Sequence, residues 1–521
     1  MPNAPHDTPQ AEVYNERMPP THVVEIERKF EVSDGAALPP LQGLPGVAQV
    51  DQPDTQILEA EYFDTRDLRL ASEQITLRRR RGGDDAGWHL KLPGAGGDRH
   101  EYHHPLEEDD AVPESLLRLV RVHVRNQEVG VVARLRTQRS LHRLRNKRGE
   151  LLAELADDLV RAESLVPERR SQHWREWELE LKNGSRTLLE AGQGLLASIG
   201  VKPSRHTSKL GRTLGENLPS RRQGSPATGK SSAGDILRSY LTEQVRVLIE
   251  QDPQVRLDTK NAIHKMRVAT RRMRSVLATY RKLLNHRNEA MYLRSELKWL
   301  AGVLGGARDA EVMHERLKKM IAEEPDELVM GPVARRIDLE LDSDYREAHG
   351  KVLRALDSDR YFQLIDALTA LLDTPSFSKM GKKSARKVIP DLVDRDAARL
   401  REAVEQARKN PAGIGDHPAL HDARKDGKRL RYAAETASPI APKKAAKLIE
   451  AAHGVQKILG DHQDSLVTRS MLRRLGAKAA ADGENGFTFG RLHALEQTAA
   501  LEAETRFHAE WKQFPAVSLR K

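Results

Sequence analysis

Glu25-Ile26-Glu27-Arg28-Lys29 sets two carboxylates and an ammonium at two-residue spacing, and Glu176-Trp177-Glu178-Leu179-Glu180-Leu181 repeats the alternation far downstream. Neighbouring side chains on a strand point to opposite faces, so Glu25, Glu27 and Lys29 project together, roughly 6.5 Å apart. Val24, Ile26 and Phe30 occupy the other face. An apolar reverse side makes the charged side an enclosed interior. Basic residues alternate in the same region: Arg78 and Arg80, Lys91 after Trp88-His89-Leu90, and Arg134 and Arg136. Glu154 and Asp158 answer them on one parity, as do Glu176, Glu178 and Glu180. Unpaired buried charges are costly, so a lumen that mixes many cations with carboxylates needs a ligand. A phosphate chain with a divalent metal satisfies both sets. Arginine and lysine bind phosphate oxygens, and carboxylates hold a hard cation, magnesium or manganese. The chemistry would be in-line attack of a metal-oriented water on a terminal phosphoryl group, with the cations stabilising the spreading charge.

A second pattern lies in the other half. His264, Arg267, Arg271 and Arg274 recur as His421, Arg424, Lys428 and Arg431, an offset of 157 residues. Leu300 to Asp309 recurs as Val455 to Asp464, an offset of 155. Two motifs at nearly one offset imply a duplicated helical unit, read as two similar bundles about a pseudo-twofold axis. At 100° per residue, each basic set falls within an arc of about 80° and forms a stripe. Guanidinium forks match phosphate oxygens, so paired stripes make a cationic groove for an extended polyanion. Asp309 and Asp464 read as helix-terminus holders or partners of nearby arginines.

Elements of two kinds must carry these residues. At 521 residues the chain exceeds what one core usually supports. After a polar leader at 1–20, read as disordered, residues 21–212 hold short alternating runs: Val23–Val32, Gln56–Phe63, Gln74–Arg81, Trp88–Leu92, Val131–Arg139, Glu150–Leu159 and Trp174–Lys182. Leu68–Ser72, Pro113–Val120 and Thr187–Ile199 read as short helices among them. Many strands with charged inner faces predict a closed antiparallel barrel with a polar lumen. Residues 213–232, rich in Ser, Gly and Pro, read as a linker. From 233 to 515 apolar residues recur at three- and four-residue spacing, which predicts an all-helical domain. The fold class is therefore α+β multidomain.

The net charge of +10 and a pI near 9.5 favour an anionic partner, among them nucleic acid, anionic lipid and polyphosphate. Aromatics at 4% leave few rings for stacking on bases, which weakens the nucleic-acid reading. Cysteine is absent, so any metal rests on carboxylate or imidazole. The N-terminus has no basic start or apolar core, and no run of about 18 apolar residues follows. The expectation is a cytoplasmic protein without a membrane partner; oligomeric state is not legible.

With these residues in order, the first half resembles the CYTH, or triphosphate tunnel metalloenzyme, family. The carriers are Glu25-x-Glu27-x-Lys29, Tyr62-Phe63-Asp64-Thr65, Arg78-x-Arg80, Lys91, Arg99-x-Glu101, Asp158, Glu178-x-Glu180 and Ser208-Lys209. The resemblance implies an eight-stranded antiparallel β-tunnel that binds a triphosphate with Mg2+ or Mn2+. It implies catalytic roles for Glu25, Glu27 and Lys29, metal binding by Glu25, Glu27, Glu101, Asp158, Glu178 and Glu180, and phosphate contacts from Arg78, Arg80, Lys91, Arg99, Arg134, Arg136 and Lys209. In the strand at Arg134–Arg139 three arginines compete for one register. The helical half, about 233 to 510, resembles a CHAD domain, which implies polyphosphate binding at His264, Arg267, Arg271, Arg274, His421, Arg424, Lys428 and Arg431. Metal chelation by the histidines is the older alternative. Lys428 stands where the first copy has Arg271, and Gln463 where it has Arg308. The leading expectation is an inorganic triphosphatase with a polyphosphate-binding module. The alternatives are a non-catalytic polyphosphate-binding or granule-associated protein, and a nucleoside triphosphatase or class IV adenylate cyclase.

Overall fold

A computed structural model of the chain describes residues 20–94, 98–107, 110–219, 227–409 and 418–520. They fall into two compact units divided at Arg222. All but the last residue of the leader, and the middle of the predicted linker, lie outside the described residues.

The first unit is a curled antiparallel sheet of β1 (Thr21–Glu25), β2 (Glu27–Val32), β3 (Gln49–Val50), β4 (Asp54–Asp64), β5 (Thr76–Arg81), β6 (Gly87–Pro93), β7 (Arg99–His104), β8 (Gly130–Arg145), β9 (Leu151–Ser164), β10 (Arg170–Leu181) and β11 (Lys202–Pro203). Its order is β1-β7-β6-β5-β4-β8-β9-β10-β2-β11, with β3 on β8. β1 and β2 are one stave interrupted only at Ile26, and they pair with β7 and β10 respectively, which closes the sheet on itself. Counted so, the wall has eight staves, with β3 and β11 as short additions. β7 was absent from the predicted strands. Its sequence, RHEYHH, lacks apolar alternation, and its pairing is set by β1 and β6 on either side.

Among the described residues, the α-helices of this unit are α1 (Arg69–Ser72), α2 (Glu114–Val124), α3 (Arg186–Ser198) and α4 (Lys209–Leu214). The apolar reverse face of β2, β8, β9 and β10 supplies Phe30, Leu144, Leu155, Trp177 and Leu179 to a core completed by Leu188, Leu189 and Leu196 of α3. That burial turns the charged parity inward. α4 extends two residues into the predicted linker, with Thr213 and Leu214 buried. Its Leu210 and Leu214 pack with Tyr62, Leu135, Val160, Ala162 and Trp174. These share strand parity with the charged residues, so part of the tunnel interior is apolar and filled.

The second unit is helical: α5 (Ala233–Arg256), α6 (Ala262–Thr279), α7 (Arg287–Ala322), α8 (Val333–Leu356), α9 (Asp359–Asp373), α10 (Ala385–Lys409), α11 (Pro418–Ala437), α12 (Pro442–Ala481) and α13 (Phe487–Trp511). The basic stripes lie on α6 and α11, which pack against each other. The second repeated motif lies on α7 and α12. Ser232 and Ser384, just before α5 and α10, form a mutual β-bridge, so the two halves also start from one point. The tail runs beyond 515 and docks: Leu519 N–H donates to Asp394 at 3.2 Å, and Arg520 pairs with Asp391 at 2.5 Å. Among the described residues, no helix is long and apolar enough to cross a membrane.

Candidate functional site

Cross-strand register assembles the charged wall of the tunnel. Glu178 lies opposite Lys29, and Glu176 opposite Asp158. Arg139 lies opposite Asp158 on the other side. Arg139 grips Asp158 through two bonds of 2.8 and 2.7 Å and reaches Glu178 at 2.9 Å. The Lys209 ammonium, from the first residue of α4, lies 2.9 Å from Asp158, 2.8 Å from Glu176 and 2.7 Å from Glu178. Lys29 joins Glu27 at 3.0 Å and also contacts Glu178. Further along, Lys91 bonds both oxygens of Glu25 at 2.7 and 2.6 Å and lies 3.6 Å from Glu101. His89 Nδ1 meets Glu101 at 2.8 Å, and Arg78 approaches it at 3.9 Å.

Burial and crowding set the electrostatics. Burial pushes Glu25 up to about 7 even beside Lys91, aided by its contact with Glu101. Glu101 goes the other way: against burial, Lys91 and His89 hold it far below the carboxylate range. Glu178 is likewise held well below that range, against burial, by Lys209, Lys29 and Arg139. Burial, with Arg78 and Arg139 nearby, pushes Arg80 down to about 9. Cations that lose basicity to each other mark a place where an anion is favoured. Asp158, Glu176 and Glu178 each offer an oxygen within 4.8 Å of the others, an all-oxygen set that suits Mg2+ or Mn2+.

Not every predicted residue joins this wall. Glu25, Glu27, Lys29, Arg78, Arg80, Lys91, Glu101, Asp158, Glu178 and Lys209 do. Arg99 donates to the Thr207 carbonyl at 3.0 Å and so tethers the approach to α4. Glu180 stays outside the carboxylate trio, with its charge taken by Lys182 at 2.6 Å. Arg134 and Arg136 correct the reading: both lie on the outer face, Arg134 bonding Glu61 at 3.0 Å and Arg136 lying 3.9 Å from Glu59. Arg136 is 65% exposed, whereas Arg139 is 20% exposed. The outer pair lines a broad cleft of about 1190 Å³ with Glu59, Glu61, Arg79 and Arg81. Sequence reasoning missed Arg139 and His89 as site residues and left Glu176 out of the metal set. The signal for Arg139 was Ala133-x-Leu135, whose apolar parity belongs to the filled end of the interior. Asp64, within one of the motifs that carry the resemblance, is buried and accepts from the N–H groups of Thr65, Leu70 and Ala71 at 2.7, 2.9 and 2.8 Å, clamping α1.

In the helical unit the two stripes meet. Arg267 pairs with Asp309 at 3.0 Å and Arg424 with Asp464 at 3.9 Å, mid-helix contacts that repeat the pseudo-symmetry. Gly305 and Gly460 lie beneath these guanidiniums, where an added Cβ would come within 3.6 and 3.9 Å respectively. Arg271 donates to the Tyr432 hydroxyl at 3.0 Å. Burial, with Arg424, Arg271 and Arg267 around it, pushes Lys428 down to about 7. His421 bonds Gln463 at 3.0 Å, and His264 sits among Arg308, Arg271, Glu311 and Arg267. Arg274 lies towards Arg294 instead. Arg431 is paired with Glu435 at 3.1 Å, a carboxylate the first copy lacks.

Comparison with known proteins follows the same division. Residues 24–202 match the CYTH domain and residues 239–473 the CHAD domain. An uncharacterized protein of Mycobacterium tuberculosis strain H37Rv, Rv2226, is 38% identical over 507 residues, 94% of this chain and 96% of its own length. Among solved structures, the CHAD domain from the plant Ricinus communis is 20% identical and covers 57% of this chain and 98% of that one, with a TM-score of 0.45. The putative adenylyl cyclase HpAC1 from Hippeastrum, described as having a dominant triphosphatase activity, is 19% identical and covers 36% of this chain and 94% of its own, with a TM-score of 0.24.

Proposed function

Because the chain belongs to the family that joins a CYTH domain to a CHAD domain, we propose that its tunnel hydrolyses inorganic triphosphate and that its helical unit binds polyphosphate. The observation that carries the first part is a charged tunnel wall on which Arg139 bonds Asp158 and Glu178 beside Glu176, and Arg78 and Lys91 approach Glu101. Asp158, Glu176 and Glu178 would hold Mg2+ or Mn2+, which when bound polarises phosphoryl oxygens and lowers the pKa of water. The arginines and Lys91 hold the phosphate chain and stabilise the charge that develops on it. Arg80, depressed by burial and by its cationic neighbours Arg78 and Arg139, gains from an anion beside it. Glu25, held near 7, can take up a proton at neutral pH. Away from the apolar end filled by α4, the interior is lined by charged groups, which favours an inorganic chain over a nucleotide.

The helical part rests on the crowding of Arg267, Arg271 and Arg424 around Lys428, which together with burial depresses Lys428. An extended phosphate chain laid between α6 and α11 relieves that repulsion.

The test is phosphate release from tripolyphosphate by the purified chain with Mg2+ or Mn2+, beside ATP as comparison. Release from tripolyphosphate that is lost in Glu27→Ala supports the reading. No release with either metal overturns it, ATP turnover of equal rate points to nucleotide chemistry, and binding without release leaves a polyphosphate-binding module.

A further inference from the structure

We infer that the Lys209 ammonium is a built-in competitor for the tunnel's divalent cation, so that metal and phosphate binding are coupled through this one side chain. The inference rests on the metal-dependent reading of the tunnel. Its ground is the placement of Nζ within 2.7 to 2.9 Å of all three carboxylates that could share a metal, Asp158, Glu176 and Glu178. The ammonium therefore stands where a shared cation would be held. Two positive centres cannot share that position: unit charges a few ångströms apart repel strongly in a buried site.

Charge balance points the same way. Glu27, Asp158, Glu176 and Glu178 face Lys29, Arg139, Lys209 and Arg212, so the four carboxylates are balanced while the ammonium is in place. With the ammonium withdrawn the group is left one negative charge in excess, which favours a cation in its place. Withdrawal needs no movement of the helix. Ser208 caps α4 by accepting from the Gly211 N–H at 2.9 Å, and Leu210 and Leu214 anchor it in the apolar cluster. A lysine's flexible four-carbon stem lets the ammonium swing while its backbone stays. Once displaced from the carboxylates, the charge is free to meet a phosphate oxygen. Each ligand thus removes a competitor of the other, which is positive coupling between them.

The test is Mn2+ binding without substrate, followed by electron paramagnetic resonance on the full chain. Lys209→Met removes the competitor and should bind Mn2+ at least about tenfold tighter than the unaltered chain, the scale of a close buried charge pair. Lys209→Arg keeps a charge, pins it through a planar fork and should bind more weakly. Because Lys209→Met leaves buried carboxylates unbalanced, its fold is checked by circular dichroism, and Lys209→Arg decides if it fails to fold. Adding tripolyphosphate should tighten Mn2+ binding in the unaltered chain and less so in Lys209→Met. Wild-type Mn2+ affinity in both variants overturns the inference while leaving the metal reading intact. No Mn2+ binding by any of the three chains overturns both.

Discussion

Arg136 and Arg139 are three residues apart on β8, yet one is largely exposed and the other is bonded to two buried carboxylates. Removing the inner one strips a charge-stabilising donor, so Arg139→Ala should lower kcat on tripolyphosphate by about two to three powers of ten. Arg136→Ala, at the outer face, should leave it unchanged; steady-state phosphate release on both variants checks this. Lys428 gives a pH prediction for the other ligand. Its value is near 7 in the free groove, and a bound polyanion raises it. A group whose pKa rises on binding contributes fully below its free value and loses that contribution as pH climbs through the bound value. Affinity for long-chain polyphosphate should therefore fall about tenfold between about pH 6.5 and about pH 8.5. Lys428→Arg should flatten the profile in a titration followed by calorimetry, since arginine stays charged across that range.

At the scale of elements, the tunnel wall depends on features that hold strands and short helices in register. Asp64 ends β4 and satisfies three buried N–H groups around α1. Asp64→Ala orphans them together, and thermal or urea unfolding should show a loss of about 3 kcal/mol. Trp177, fully buried beneath α3, plays the same part for β10. Its neighbours Glu176 and Glu178 point inward because Trp177 points outward, so the core residue aims the site residues. The same logic explains β8. Its even positions, Arg134, Arg136 and Gln138, look like a charged lumen face by alternation. Its odd positions run from Ala133 and Leu135, at the end filled by α4, to Arg139. A tunnel whose interior is apolar at one end inverts the pattern there.

The two units carry cationic clusters of different depth. The tunnel wall is buried, with Asp158 wholly so, whereas the groove carries half-buried cations such as Arg267 and Arg271. Screening lengths shrink from about 10 Å at 0.1 M salt to about 3 Å at 1 M, and buried pairs feel this least. Raising salt over that range should weaken polyphosphate binding far more than it raises KM for tripolyphosphate. Arg267→Glu with Arg424→Glu should abolish the first and spare the second, measured on the full chain. Much of this layout was present in the sequence itself. Period-two alternation separated Glu25, Glu27 and Lys29 from Phe30, and the 157-residue offset announced the duplicated helices, because local periodicity and repetition are properties of the chain alone. Tertiary structure alone decided that Arg139 and not Arg136 enters the wall, that Glu176 and not Glu180 completes the carboxylate trio, and that Lys209 lands among them. Those choices turn on cross-strand register and on where α4 packs, which bring together residues far apart in sequence, and no local pattern carries that information.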